Sequence, residues 1–286
     1  MKIIRYFFEF IIVISFFLIF KILGLKLASS LGSVLGKILG PVFRSKNIIN
    51  KNLRICFKNI TEEEIRKITD GMWSNIGRTF AEYIFLKKIR KDKSLFKING
   101  LEILEEIKKK NEPVVFVSAH LANFELMAMQ LDLHGIKLAA IYRPLNNFFL
   151  NPVMEYLRMK YICPIQIKKG RQGMKEILKR FKDQYSIALM VDQRLSEGEK
   201  INFFNQAAYT TTIPAQMKTR FKCKIIPIYL DRINGVNFEM TVHKPIEFKN
   251  LNEKETTNIT VKINKIIEEM ILLKPELWTW SHNRWK

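Results

Sequence analysis

Residues Ser118 to Glu125 read SAHLANFE. A histidine followed five positions later by a glutamate can do acid–base chemistry. An ionised carboxylate bonded to one imidazole nitrogen fixes the tautomer and raises the basicity of the other, which can then take a proton from a hydroxyl. Inside one continuous helix two residues five apart point in different directions, so the pair needs a break between them. The sequence supplies one. PVVFVSA (Pro113 to Ala119) reads as a strand and NFELMAMQLDLHG (Asn123 to Gly135) as a helix, which leaves His120 in the loop. Asn123 is a good N-cap, so Glu125 is expected in the first helical turn, where the helix dipole favours an ionised carboxylate. The same residues also admit a plainer reading, a loop histidine beside a glutamate that only answers the dipole.

The remaining residue types narrow the chemistry. His134 lies at a helix end, His243 ends an expected edge strand and His282 sits in an aromatic, basic tail. No HExxH, GxSxG, phosphate-loop or dinucleotide motif occurs, so a zinc hydrolase, a serine acyl-enzyme and a nucleotide enzyme lack their signatures. Cys56, Cys163 and Cys223 are far apart and odd in number, which fits a reducing compartment and small apolar packing rather than disulfides or a metal site. No metal and no cofactor is expected.

The elements that must hold His120 in place alternate. A helix is expected from Thr61 to about Lys88, opened by a Thr61–Glu64 capping box. After PVVFVSA and its helix come strands at Lys137–Tyr142, CPIQI, Tyr185–Val191, Lys224–Leu230 and FEMTVH. Helices are expected at Phe148–Tyr161, Arg171–Asp183, TIPAQMKTRF and Glu255–Leu273. This pattern predicts an α/β fold: a central mixed, mostly parallel sheet covered by helices on both faces. Functional groups in such sheets gather beyond the carboxyl ends of the strands, where His120 falls.

The N-terminus differs in character. YFFEFIIVISFFLIF (Tyr6 to Phe20) is apolar apart from Glu9 and Ser15, and reaches spanning length if it runs to Leu25. Lys21, Lys26, Lys37, Arg44, Lys46 and Lys51 follow it, while Lys2 and Arg5 precede it, an asymmetry that places the downstream side in the cytoplasm. The expected organisation is a membrane-anchoring helix at residues 1–25, an interfacial, basic connecting region at 26–60, and an α/β domain at 61–286. A formal net charge of +21 points to anionic partners.

Taken in order, several blocks resemble the late acyltransferases of lipid A biosynthesis, the lauroyl/myristoyl type, within the wider glycerolipid acyltransferase-like group. They are NLRICFKNITEEE with NIGRTFAEY, SAHLANFE, IYRPLNN, GRQGMKEILKRF followed by LMVDQRLSEG, FFNQAAYTTTIPAQM and the chain end KPELWTWSHNRWK. The likeness covers nearly the whole chain, departing at Asn205 and at Ile213-Pro214, where the family often carries glycine or small residues. It implies transfer of a fatty acyl chain from acyl carrier protein to a hydroxyl on a phosphorylated glucosamine lipid, a lipid A precursor, at the bacterial inner membrane with the catalytic domain facing the cytoplasm. It also implies His120 as base, Glu125 as its orienting partner, Arg143 as a cation for a phosphate or for the developing oxyanion, and Asp192 and Asn123 in support. Thr210, Thr211 and Thr212 match a threonine stretch that can cap the next helix or touch substrate. No nucleic acid is expected as partner. The alternatives are a lysophospholipid or other glycolipid acceptor on the same scaffold, and, in a different class, a basic membrane-anchored protein that binds RNA or lipid.

Overall fold

The computed structural model describes residues 2–43, 46–248 and 255–286. Arg44 therefore lies outside the described residues.

Four helices come first: α1 (Lys2–Leu23), α2 (Leu25–Phe43), α3 (Lys46–Cys56) and α4 (Glu62–Glu82). The capping box at the start of α4 is formed, with the Thr61 hydroxyl accepting from the Glu64 N–H and the Glu64 carboxylate accepting from the Thr61 N–H. In α1 only Phe17 and Phe20 are buried, and Ile3, Ile4, Phe8, Ile12, Leu18 and Ile22 are exposed. This is the one helix among the described residues that is long and apolar enough to cross a membrane, which makes it a candidate anchor. Glu9, the acidic interruption, accepts from Arg5 and from Asn147, so its charge is answered locally.

The expected connecting region, residues 26–60, contains most of α2 and all of α3. α2 packs along α4 through small residues: Gly32, Gly36 and Gly40 face Gly77 and Trp73, and a Cβ on Gly36 would lie 2.1 Å from the Trp73 carbonyl oxygen. Backbones that close leave no room for a side chain. The far side of α2, with Leu27, Val34, Ile38 and Val42, is exposed and apolar.

The rest is the layered α/β body. In chain order it runs α5 (Leu86–Lys91), β1 (Phe96–Asn99), α6 (Leu101–Lys110), β2 (Val115–Ser118), α7 (Glu125–Leu133), β3 (Leu138–Tyr142), α8 (Leu150–Tyr161), β4 (Ile165–Lys168), α9 (Arg171–Lys182) and β5 (Ser186–Met190). A hairpin of β6 (Glu199–Phe203) and β7 (Gln206–Thr210) follows, then α10 (Ile213–Phe221), β8 (Ile225–Asn234), β9 (Asn237–Val242) and α11 (Glu255–Leu273). The main sheet has the order β1-β9-β8-β2-β5-β3-β4 and is parallel except between β8 and β9. The expected mixed, mostly parallel sheet is therefore present. One expectation fails: β9, which His243 follows, is not an edge strand but lies between β1 and β8. β2 sits at the centre with all four residues buried, which explains its unbroken apolar run.

Candidate active site

β2 ends at Ser118, and the chain then makes a tight loop before α7. The Leu121 N–H bonds back to the Ala119 carbonyl at 2.7 Å, and Ala122 takes a left-handed conformation with φ of 49°. Its surroundings hold that conformation. The Ala122 N–H donates to the Leu277 carbonyl at 3.2 Å, and the Ala122 carbonyl accepts from the Asn75 side chain at 3.0 Å. The loop is thus clamped between α4 and the C-terminal segment.

The clamp sets the histidine. His120 Nδ1 lies 2.8 Å from Asp192 Oδ1, the His120 backbone N–H donates to Asp192 Oδ2 at 3.1 Å, and Trp278 Nε1 donates to the same oxygen at 2.7 Å. Strand register produces this. β2 and β5 are parallel partners with Ser118 opposite Met190, so two residues further on His120 falls opposite Asp192. Asp192 is fully buried, and burial alone would raise its carboxyl. The interaction with the His120 ring, the bonds from His120 and the bond from the Trp278 indole outweigh that and hold it at about 2. Asp192 is therefore an ionised acceptor at neutral pH, so Nδ1 is the protonated ring nitrogen. Nε2 has no protein partner among the described residues and belongs to a ring that lines a large cavity.

The expected contact between Glu125 and His120 is not formed. Glu125 Oε1 accepts from the Tyr83 hydroxyl at 2.9 Å, from Arg158 Nε at 3.0 Å and, closer still, from Arg158 Nη2. Glu125 is the first residue of α7, and Arg158 reaches it from α8 between the rings of Tyr83 and Tyr142. Burial and the negative charge of Glu125 push the Tyr83 phenol well above its ordinary value, so it stays a donor. Arg158 is itself buried, its Nη1 has no hydrogen-bond partner, and it lines the same cavity as His120.

Asn123 is also placed otherwise than expected. The residue preceding α7 is Phe124, which makes no side-chain cap bond. Asn123 is fully buried and donates to Glu82 Oε2 at 2.9 Å. Glu82 is in turn held by Arg232 at 2.5 and 3.0 Å and by the Ser29 hydroxyl at 2.8 Å. Asn123 still steadies the loop, through α4 rather than through the helix start. Arg143 follows β3 and is exposed at the cavity, and β5 lies between its strand and that of His120. Thr211 and Thr212 line the cavity and serve the start of α10: Thr211 Oγ1 accepts from the Ile213 N–H at 3.4 Å, and Thr212 Oγ1 accepts from Gln216 Nε2 at 2.9 Å. Thr210 accepts from Arg284.

Sequence reasoning missed Tyr83, Arg158 and Trp278. Arg158 and Tyr83 lie on helices far along the chain, and only the fold brings them to Glu125. Trp278 belongs to the tail, in which Trp280 and Arg284 are completely buried.

The cavity measures about 1510 Å³, larger than the roughly 300–1,000 Å³ of an ordinary small-ligand pocket. Its walls carry the polar side chains of His120, Arg143, Lys169 and Arg194 together with apolar side chains of α1, α2 and α4, including Phe16, Phe20, Leu35, Trp73 and Phe80. None of the three cysteines lines it, and burial raises the Cys163 and Cys223 thiols to about 12 and 11. Among the described residues, no His, Cys, Asp and Glu side chains group as a metal site.

The model of the bacterial lipid A biosynthesis acyltransferases matches residues 1–286. The chain is 26% identical over 238 residues to the lipid A biosynthesis myristoyltransferase of Escherichia coli (strain K12), covering 80% of this chain and 71% of that one. It is 23% identical over 248 residues to the lauroyltransferase of the same organism, covering 85% and 79%. The lipid A biosynthesis acyltransferase of Haemophilus influenzae is 26% identical over 250 residues, covering 85% and 78%. An imidazole bonded to a buried aspartate, on the wall of a large cavity, thus stands in a chain that belongs to the bacterial lipid A biosynthesis acyltransferases.

Proposed function

We propose that this protein transfers a fatty acyl chain from acyl carrier protein to a hydroxyl of a phosphorylated glucosamine lipid, a precursor of lipid A. The observation that carries the reading is the His120–Asp192 pair, whose free Nε2 belongs to a ring lining a cavity with both polar and apolar walls. The apolar side chains suit the acyl chain, and the basic ones suit an acidic carrier and a phosphorylated acceptor.

In this mechanism Nε2 of His120 takes the proton of the acceptor hydroxyl as the oxygen attacks the thioester carbonyl. Asp192 holds Nδ1–H and stabilises the imidazolium that forms. The carbonyl oxygen gains negative charge, and Arg158 Nη1 is the unpartnered buried donor on the cavity wall that can meet it. Glu125 and Tyr83 keep that guanidinium in place rather than orient the base. The tetrahedral intermediate expels the carrier thiolate, the imidazolium returns the proton to it, and no bond to the enzyme forms. We place α1 in the bacterial inner membrane with the body on the cytoplasmic side. Support comes from the exposed apolar surface of α1 and the lysines that follow it.

Labelled acyl transfer from the carrier to a tetra-acylated lipid A precursor, with a lysophospholipid as rival acceptor, tests this. Transfer to the precursor that disappears in His120→Ala supports both base and acceptor. Transfer to the lysophospholipid alone moves the acceptor class, and activity surviving in His120→Ala removes the base.

A further inference from the structure

α1 is apolar almost all round, the composition of a helix that is buried or crosses a membrane. Its surroundings divide it lengthwise. Ile4, Phe8, Ile11, Leu18 and Ile22 fall on one helical stripe and are all exposed. The other side is held by the body along most of its length. Near the start, the Tyr6 carbonyl accepts from Asn147 Nδ2 at 2.8 Å, and the rings of Tyr6 and Phe10 meet Phe148 and Phe149 at 5.8 and 6.1 Å. Near the end, Phe17 and Phe20 meet Phe80 of α4 at 5.2 and 6.1 Å. At about 1.5 Å per residue, roughly 21 Å of helix between Tyr6 and Phe20 lies against protein.

Those contacts oppose the crossing that the length of α1 allows. A spanning helix passes through about 30 Å of hydrocarbon. The downstream end of α1 leads into α2, which is locked to α4 through Gly32, Gly36 and Gly77, so that end stays with the body. If α1 crossed from there, its start would carry residues 144–149 into the hydrocarbon. That segment has no helix or strand, and Leu145 and Asn146 within it are exposed. Irregular backbone facing lipid does not occur in the hydrocarbon region.

α2 adds a second apolar stripe. Leu27, Val34, Ile38 and Val42 are exposed on the side away from α4. Ile22, Leu23 and Leu27 carry the exposed apolar surface across Gly24, where a φ of 77° turns the chain. Lys2, Lys21, Lys26 and Lys37 on the two helices are exposed as well.

We propose that α1 and α2 lie flat in one leaflet of a bilayer and that α1 does not cross it. The proposal rests on the reading above that α1 enters the membrane. The partner is a lipid surface with anionic headgroups. The two apolar stripes enter the acyl region, and the four lysines reach the headgroup phosphates on flexible stems. α1 and α2 also wall the cavity, through Ile12, Phe16, Leu35 and Leu39. The flat seat therefore puts the cavity beside the leaflet that holds a lipid substrate.

The test uses the full chain in a bacterial host, with Lys2→Cys and Lys109→Cys as reporters for the start of α1 and for the body. Wild type, with Cys163 and Cys223 buried and Cys56 half-buried, gives the background. A membrane-impermeant maleimide is applied to intact and to lysed spheroplasts. Both reporters should sit in the membrane fraction and be labelled only after lysis. Both open in intact spheroplasts would keep the flat seat, on the opposite leaflet. Labelling at residue 2 and at residue 109 from opposite sides shows α1 crossing and overturns the proposal. Recovery of wild type in the soluble fraction, alone or paired with a second copy, removes the membrane reading itself and the proposal with it. A second measurement places α2. Ile22→Cys and Val42→Cys each carry a polarity-sensitive dye on the chain reconstituted into anionic phospholipid vesicles. Both dyes should be shielded from a water-soluble quencher several-fold more than the dye on Lys109→Cys. A dye at residue 42 as open as the one at residue 109 takes α2 out of the lipid and overturns the flat seat.

Discussion

Two carboxylates stand close to the loop after β2, and the fold treats them in opposite ways. Asp192 is sealed from solvent, receives three hydrogen bonds, two of them from His120, and is held ionised at about 2. Glu125, five residues from the histidine in sequence, is enclosed by Arg158 and Tyr83 and makes no bond to the imidazole. The difference teaches that closeness in sequence and closeness in chemistry have separate origins here. The motif spacing brings Glu125 to the cavity wall, while the register of β2 on β5 brings Asp192 to the ring.

The largest effect that can break this comparison is on the ring. In Asp192→Asn the amide can present a donor to Nδ1 and favour the wrong tautomer, so kcat should fall about 10³–10⁴-fold with KM little changed. The check is acyl-transfer kinetics beside near-ultraviolet circular dichroism to confirm folding. A loss smaller than about tenfold would mean that Asp192 is only structural, and Glu125 would again be the candidate partner.

A smaller loss is expected at the other carboxylate. Glu125→Gln removes the counter-ion of Arg158 without touching the histidine, so kcat should drop about 10²-fold. The double variant Asp192→Asn/Glu125→Gln separates the two cases, since losses in kcat that multiply show that the two carboxylates act on different groups. A double variant no slower than Asp192→Asn alone would contradict the separation of roles. Weaker again is Trp278→Phe, which removes one neutral donor from Asp192 Oδ2. About a tenfold loss of kcat is expected, measured in the same assay.

These outcomes bear on what a sequence can disclose. The run PVVFVSA, the helix after it and the position of His120 at a strand end were legible because hydrophobic period is a local signal. The capping box of α4 was legible for the same reason. The Asp192 partnership was not, because register is set by packing across strands some seventy residues apart. The hairpin of β6 and β7 escaped because its strands carry charged and small residues. Its turn at Phe204 and Asn205, with φ of 51° and 57°, shows a turn signal only at the asparagine. β9 read as an edge strand because nothing local announces that β1 pairs on its outer side. The likeness of SAHLANFE to its family supplied the residue types, and the fold decided which carboxylate the histidine holds.

The smallest predicted effect concerns the tail rather than the chemistry. His282 Nε2 accepts from the Arg194 N–H at 3.1 Å, which requires a neutral ring, and burial lowers its value from 6.5 to about 4 against the opposing pull of Asp192. A group whose folded value is depressed gives stability that is complete above its unfolded value and is lost as pH falls. Between pH 6.5 and 4 the unfolded chain takes up a proton that the folded chain refuses, so the melting temperature should decline across that window. His282→Gln keeps an acceptor for Arg194 but cannot titrate. Its melting temperature should therefore lose a few °C less than wild type between about pH 7 and pH 4.5, measured by scanning the detergent-solubilised chain at both pH values. Parallel declines in the two proteins would show that the imidazole takes a proton in the folded tail without cost. The tail would then be held by Trp278, Trp280 and Arg284 rather than by a neutral His282.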